Sequence, residues 1–538
     1  MTSAPQLNQS GLPIVVIGAG PVGLTAALGL AHHGLDVQVF EEDSDLSLDT
    51  KAGTLLARTV EIFDRYGAAA DVLAASLRID EIGEIDRQTN AHRDGVLTAT
   101  LTEDTRHPYA LNIPQHHLEP VLRGVLERAA PGALQMQHTL LSLTQHEDHV
   151  ELLLRTPEGE KTVNASYVVA CDGGRSTVRR QLGIAVLGET LEERFMLVDL
   201  IVDLDTANPR DYPYLSYFGD PTEWMIVVRL PHCWRLLYPL PAGDPEPTND
   251  ELLAKARRFI GDVTDIELIG TNIYSVHHRV AERMSDGRVF LLGDAAHLIT
   301  PMWALGLNSG VLDASNLPWR LAWVLRGWAE PSLLDGYGRE QGPLARDGAA
   351  RMAEAARKNM ARTGDEVELM KGGRWGVAAT RNLLAVSLDV NGTGDWGMIA
   401  VGDEPPTVKV GDRAPDLPLH APRGPVALHS LVADSFVALY FCDARRAPNI
   451  PETEYAGLTR YVVSRWDAPL DAKLGGGRLR DSALFDPGSR VEKRFGVAPN
   501  HVVLIRPDGH IAAILPFDPR SAGTDEAGEK YTSIIGRG

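Results

Sequence analysis

Ile14-Val15-Val16-Ile17-Gly18-Ala19-Gly20-Pro21-Val22-Gly23 decides how the rest of this chain is read. Four apolar β-branched residues predict a buried strand, and a glycine-rich turn follows at once. Leu24-Thr25-Ala26-Ala27-Leu28-Gly29-Leu30-Ala31 then predicts a helix closed by Gly34. A second apolar strand, Val37-Gln38-Val39-Phe40, ends in Glu41. Strand, turn, helix, strand and acid together form a dinucleotide-binding unit. Gly18 permits the tight turn, Gly20 lets the backbone approach a pyrophosphate, and Gly23 lets helix and strand pack closely. The helix N-terminus supplies free N–H groups and the positive end of its dipole. Glu41 is placed to accept from both hydroxyls of an adenosine ribose. A second match to the same pattern, Gly392-Thr393-Gly394-Asp395-Trp396-Gly397, runs into Pro405-Pro406 and is expected to be a loop.

A length of 538 residues predicts about three domains. Lys and Arg number 52 against 72 Asp and Glu, a net charge of −20, which argues against a nucleic-acid partner. The same balance gives no polybasic attraction to anionic lipid. The start, Met1-Thr2-Ser3-Ala4-Pro5-Gln6, has no secretory pattern. The apolar run Leu321-Ala322-Trp323-Val324-Leu325 stops at Arg326, too short for a membrane span. Cys171, Cys233 and Cys442 are scattered and odd in number. They suit a reducing cytoplasm, exclude a disulfide framework and show no metal-ligand spacing, so no metal is expected.

Further helices are predicted over Ala57 to Tyr66, ended by Gly67, and from Pro114-Gln115-His116-His117-Leu118-Glu119 onward. Val150 to Leu154 and Tyr167 to Ala170 read as strands. Between about 186 and 280 alternating segments, among them Trp224 to Leu230 and Trp234 to Leu240, predict an antiparallel sheet. Val289-Phe290-Leu291-Leu292 returns to a buried parallel strand. A helical pattern runs from Leu312 to about Leu388, residues 401–425 read as a Pro/Gly-rich linker, and the last 115 or so residues form a separate α/β pattern.

Two later segments repeat the strand-turn-helix idea. Val168-Val169-Ala170-Cys171-Asp172-Gly173-Gly174-Arg175-Ser176 ends in a glycine turn, with Ser176 as the helix cap. In Phe290-Leu291-Leu292-Gly293-Asp294-Ala295-Ala296-His297, Asp294 projects from the carboxyl end of a strand, where α/β proteins bind ligands. Thr300-Pro301-Met302-Trp303-Ala304-Leu305-Gly306-Leu307-Asn308 then leads into a helix whose first N–H groups can face an electron-rich ring.

GAGPVGLTAA, CDGGRSTVRR and GDAAH with the NLPWRLAWVLRG run, in this order and spacing, resemble the single-component (group A) flavoprotein aromatic hydroxylases, over about residues 12–345. The tail, from Val410-Gly411-Asp412-Arg413-Ala414-Pro415-Asp416 to Val503-Leu504-Ile505-Arg506-Pro507-Asp508-Gly509, resembles the thioredoxin-like C-terminal domain of the phenol hydroxylase and hydroxyphenylpropionate hydroxylase branch. The resemblance implies an α/β fold in four stretches. Residues 1–185 and 281–400 form a Rossmann-like FAD-binding domain with a helical region, 186–280 a substrate-binding mixed sheet, and 408–538 the thioredoxin-like domain.

It also implies roles. Gly18, Gly20, Gly23 and Glu41 bind the ADP half of FAD, and Arg58 and Gln115 line the cofactor. Asp172 contacts FAD and NAD(P)H, and Gly293 and Asp294 hold the ribityl chain. Pro301 sits against the isoalloxazine, with Leu307 and Asn308 on its pyrimidine side. Tyr217, Arg229 and Arg235 fall on the sheet that roofs the substrate; Tyr217, Arg235 and Pro301 are the catalytic candidates. The implied reaction is hydroxylation of a phenolic or related aromatic ring with NADPH or NADH and O2 through a flavin C4a-hydroperoxide, in a cytoplasmic homodimer.

Some residues depart from the family pattern. Met302 replaces a second proline, Trp303-Ala304-Leu305-Gly306 is bulkier than the usual glycine-rich stretch, and Pro318 is expected to interrupt a helix. Cys442 is followed by Asp443-Ala444-Arg445, so the tail has no CxxC dithiol. Two other readings are a halogenase-like flavoprotein, which lacks its Trp-x-Trp-x-Ile-Pro segment here, and a redox or interaction module centred on the tail.

Overall fold

The structure, a computed structural model, describes residues 11–46, 53–92, 96–204, 212–260, 265–362, 386–392, 397–398, 407–442, 450, 453–464, 482–520 and 525–537. Most of the second glycine pattern and of the predicted helix beyond residue 362 lie outside these residues; at the expected end of that helix Val386–Ser387 is instead a short strand paired with Gly397–Met398.

The opening segment folds as its spacing predicts. Strand β1 (Ile14–Ile17) is fully buried, helix α1 runs Pro21–His32, and strand β2 (Val37–Phe40) lies parallel to β1. Pro21 takes the first helical position, where its missing N–H costs nothing. Helix α2 (Ala57–Arg65) and helix α3 (Gln115–Ala129) follow, the latter starting after Pro114. The strands Tyr167–Ala170 and Val289–Leu291 extend the parallel sheet on the far side of β1, and Leu134–Gln135 adds to β2. Segments distant in sequence thus share one sheet, whose carboxyl ends gather the glycine turn, Asp172 and Asp294.

The second large sheet has eight strands. In order they are His297–Leu298, Glu267–Ala281, Val186–Ile201, Trp234–Leu240, Met225–Arg229, Leu215–Gly219, Glu81–Asp86 and Val96–Leu97. The sheet therefore reaches back to residues 81–97, outside the 186–280 stretch expected to build it. Glu81–Asp86 pairs parallel to Leu215–Gly219, a long-range pairing that local alternation does not encode. Side chains alternate between two faces along each strand. Met196, Val198, Phe218, Val227, Trp234 and Leu236 pack under the helix Asn249–Ile260. Phe195, Leu197, Tyr217, Ile226, Val228 and Leu237 face the other way, onto Met302, Trp303, Leu305 and the helix Ala350–Met360.

Helix α4 (Leu305–Leu325) crosses the middle of the molecule. It begins seven residues before the predicted helical pattern and passes through Pro318 without ending. Pro318 is buried in α4, close to Gly29 of α1, so the expected interruption does not occur.

The tail builds a seven-stranded mixed sheet in the order Gly424–Ala427, Pro418–Ala421, Ala483–Phe485, Leu458–Ser464, Phe436–Cys442, His501–Ile505 and Ile511–Pro516. Residues 407–425 contribute to that sheet and are not a free linker. Phe436 and Tyr531 of the tail share one core with Trp319 and Trp323 of α4. A buried ionic cluster joins the same bodies. Glu340 accepts from Arg320 at 2.7 Å, from Asn316 at 2.8 Å and from both terminal nitrogens of Arg506 at 2.7 and 2.9 Å. Arg506 also pairs with Asp508, which accepts from Trp319 Nε1 at 3.3 Å.

Candidate active site

The glycine turn is sterically committed. Gly18 adopts φ +101°, and a Cβ there would lie 2.4 Å from the Cys171 carbonyl oxygen. A Cβ on Gly23 would lie 2.0 Å from the Gly18 carbonyl, so α1 packs on the turn only with glycine at that position. Around Gly20 nothing stands within 4 Å of a Cβ position, and α1 has no side-chain cap at its N-terminus. Its first-turn N–H groups therefore have no side-chain acceptor, an arrangement a phosphate can use. Glu41 accepts the Ala19 N–H at 2.7 Å and the Asp43 N–H at 3.1 Å, which ties the acid to the turn.

Asp172 caps the short helix after it, accepting from Val178 N at 3.0 Å beside Ser176, which accepts from Arg179 N at 2.9 Å. The other Asp172 oxygen, Oδ1, is buried with no hydrogen-bond partner, an acceptor waiting for a donor. Gly293 takes φ +57° and sits against Val22 of α1. Its N–H donates to Asp313 at 2.9 Å, and His297 Nε2 meets the same Asp313 oxygen at 2.8 Å. His297 is thus a buried brace of the turn that presents the exposed Asp294.

The approach to α4 is strained. Pro301 precedes a short 3-10 turn, and Trp303 and Ala304 stand at φ 58° and 54°, two successive non-glycine residues in left-handed backbone. Such geometry costs about 1–3 kcal/mol per residue and persists only where packing over-determines it. Here Trp303 stacks on Tyr217 of the roof, with ring centroids 4.8 Å apart and planes 19° apart. Burial pushes the Tyr217 hydroxyl well above the ordinary range, against a hydrogen bond from the Trp303 backbone. Ala304 provides no side-chain cap for α4, so the first-turn N–H groups, that of the half-buried Leu307 included, have no acceptor within the helix.

Several expected residues have other jobs. Asn308 Oδ1 accepts from Leu56 N at 2.9 Å and Thr59 Oγ1 at 2.6 Å, while Nδ2 donates to the Thr54 and Ala304 carbonyls at 3.0 and 2.6 Å. All four bonds of the amide are used, so this side chain braces α4 against α2 and has none left for a ring. Arg58 is buried and donates to Glu61 at 3.0 Å and to the Asp508 carbonyl at 2.6 Å. Arg58 therefore joins α2 to the tail. Glu61 also receives Arg413 of the tail. Gln115, first residue of α3, donates to Glu119 at 2.7 Å. Arg229 donates to the Leu230 and Cys233 carbonyls and lies over Trp234, which anchors a turn on the far side of the roof.

Arg235 is on the roof face that carries Tyr217. Its Nε and Nη2 donate to Asp199 at 2.8 and 2.9 Å, and Nη1 is buried without a partner. Asp199 escaped the sequence reading, although its signal is visible. It continues the Phe195, Leu197 alternation with a carboxylate where an apolar residue is due. Asp313 carries the same kind of signal in the apolar first half of α4. In the tail, Cys442 is buried and its thiol is pushed up to about 12 by that burial. With no neighbouring cysteine in sequence, it does not support a thiol-exchange reaction.

An uncapped α1 terminus before an open Gly20, an orphaned Asp172 oxygen, an exposed Asp294 on a braced turn and an uncapped α4 terminus form one continuous cradle. These residues fit FAD. In such a cradle α1 would meet the phosphates, Asp294 the ribityl chain and the start of α4 the ring.

Comparison with known proteins agrees. Residues 12–351 match the family model described as FAD binding domain. Para-nitrophenol 4-monooxygenase from Pseudomonas sp. strain WBC-3 is 31% identical over 342 residues, 60% of this chain and 81% of that protein. Pentachlorophenol 4-monooxygenase from Sphingobium chlorophenolicum is 28% identical over 521 residues, 94% of each chain. Among solved structures, the ternary complex of aklavinone-11 hydroxylase with FAD and aklavinone superposes with a TM-score of 0.79 at 25% identity, covering 98% of this chain and 99% of that one. Among the described residues no helix is long and apolar enough to cross a membrane. The chain belongs to the FAD binding domain family and is an FAD-dependent aromatic monooxygenase of the group A flavoprotein hydroxylases.

Proposed function

We propose that this enzyme hydroxylates a phenolic ring held between the roof sheet and the start of α4, with NADH or NADPH as reductant. The carrying observation is the Trp303–Ala304 segment. Its left-handed backbone pins the Trp303 ring flat against Tyr217 and builds a rigid apolar wall at the helix end that faces the flavin. FAD, when bound, supplies the redox chemistry that reduces and activates oxygen. The chain's own residues position the ring, exclude water and favour the phenolate, the more reactive form. Tyr217 contributes its ring face, because its hydroxyl is already engaged and held neutral by burial. Arg235 supplies the cation on the same face, and Pro301 fixes the entry to the strained segment. The cradle residues Gly18, Gly20, Gly23, Glu41, Asp172, Gly293 and Asp294, with the α4 N–H of Leu307, hold FAD. We assign Gln115, the first residue of α3, to the cofactor as well.

We further infer that the tail is a thioredoxin-like domain with a structural role and that the protein is cytoplasmic. Support comes from the tail's mixed sheet and from three unpaired cysteines. The test is stopped-flow oxidation of NADH and NADPH by the holoenzyme with a panel of phenols. A substrate should accelerate flavin reduction and yield a hydroxylated product. If no phenol does either, the reading is wrong.

A further inference from the structure

We propose that the start of α3, with Arg235 and His116, is a binding site for an oxyanion carried by one of the two small molecules this enzyme admits, the aromatic substrate or the pyridine nucleotide. The proposal deepens the functional reading above and rests on it. Four observations converge. Arg235 is 4% exposed, yet its Nη1 has no partner among the described residues once Nε and Nη2 are used on Asp199. That nitrogen lies 3.7 Å from the Cβ position of Gly53, whose carbonyl accepts the Ile113 N–H at 3.0 Å, two residues before α3 begins. Helix α3 starts at Gln115, after Pro114 and with no side-chain cap, so the N–H groups of Gln115 and His116 have no intrahelical acceptor. His116 Nδ1 is likewise buried without a partner.

The guanidinium N–H, the helix-start N–H groups and the imidazole all donate or can donate, and the nearby carboxylates are already taken. Asp199 is occupied by Arg235, and Glu119 by Gln115. Buried polar atoms left unpaired are costly, and Arg235 Nη1 and His116 Nδ1 are two such atoms on side chains close enough to interact electrostatically, so one ligand between them and the helix start can satisfy both. A carboxylate or phosphate does so, with a charge that suits both the guanidinium and the helix dipole. Access is also built in. His117 stands edge-on to His116 at 4.3 Å and to His232 at 5.3 Å, and His232 is exposed, so a row of imidazoles leads from solvent to Arg235.

Two probes, benzoate and inorganic phosphate, test the site by calorimetric titration into the holoenzyme, a measurement that needs no turnover. At least one should bind, and binding should weaken about tenfold or more in Arg235→Gln combined with Asp199→Asn, which removes both charges and leaves neither stranded. FAD content reports whether that variant folds. His116→Phe, which leaves the ion pair intact, should weaken binding in the same direction. Competition of benzoate with the aromatic substrate assigns the site to the ring, and competition of phosphate with the nucleotide assigns it to the dinucleotide. If neither probe binds, or both bind the variants as well as the wild type, the proposal is overturned. Failure of every phenol to accelerate NAD(P)H oxidation would instead overturn the functional reading.

Discussion

Glu340→Gln should loosen the tail from α4. Glu340 is 2% exposed and lies between Arg320, Arg506 and Asn316, with Asp508 on the far side of Arg506. Two guanidinium charges balance two carboxylates, so the substitution leaves one uncompensated positive charge in the interior. Burial works against the Glu340 charge, but Arg320 and Arg506 hold its pKa at about 2 against an ordinary 4.5. That difference corresponds to about 3 kcal/mol. Breaking a buried ion pair from one side costs about 3–5 kcal/mol, so the two routes agree.

Unfolding entropy is about 2.1 cal/mol/K per residue, so a 3 kcal/mol loss lowers the midpoint by about 3 °C if the whole chain melts together and by about 11 °C if only the roughly 130 tail residues melt. Scanning calorimetry with flavin fluorescence separates the two cases, since only the first releases FAD in the same transition. The pH dependence has a definite sign. A carboxylate with a depressed folded pKa stabilises fully above its unfolded pKa and loses that contribution as pH falls through the folded value. The gap between wild type and variant should therefore be widest above about pH 4.5 and close toward pH 2. Identical melting of both proteins at neutral pH, or a gap that widens in acid, would refute this account of the cluster.

Asp294→Ala should weaken FAD binding tenfold to a hundredfold, since losing one charged hydrogen-bond partner costs about 1.5–3 kcal/mol; a flavin titration with unchanged affinity would remove Asp294 from the cradle. Tyr217→Ala should keep FAD but lower the product formed per NAD(P)H consumed, because Trp303 loses its stacking partner and the ring loses its wall; a misplacement of about 1 Å can cost about a hundredfold. Unchanged coupling would place the substrate elsewhere. Cys442→Ser should leave turnover near normal, and a collapse with FAD content intact would show that the buried thiol takes part in the reaction.

What the sequence made legible was local. The glycine turn and Glu41 lie within about thirty residues of chain, and Ser176 caps the N–H of Arg179 three residues on, so each is legible from its neighbours alone. The bracing contacts of Asn308 and Arg58 are not legible in the sequence, because their partners lie roughly 250 and 450 residues away and residue type alone does not name a partner. The strand Glu81–Asp86 joined the roof for the same reason, since its hydrogen bonds run to Leu215–Gly219. Pro318 was expected to stop α4, but a helix packed on both sides by α1 and the tail core tolerates one lost backbone bond. Trp303 and Ala304 show the opposite limit. Neither residue favours left-handed backbone, so the strain at the site is imposed by tertiary packing.

Helix α4 acts as a beam supported at both ends. Its first turns steady the flavin cradle through Asn308 and Asp313, while Asn316, Trp319 and Arg320 rest on the tail. The tail is therefore not a detachable module. A chimera that exchanges residues beyond about 400 for those of a relative would keep Arg320 and Glu340 but lose Arg506 and Asp508, stranding half of a buried charge cluster. Recombination among such enzymes should succeed only when the outer half of α4 travels with the tail it was fitted to.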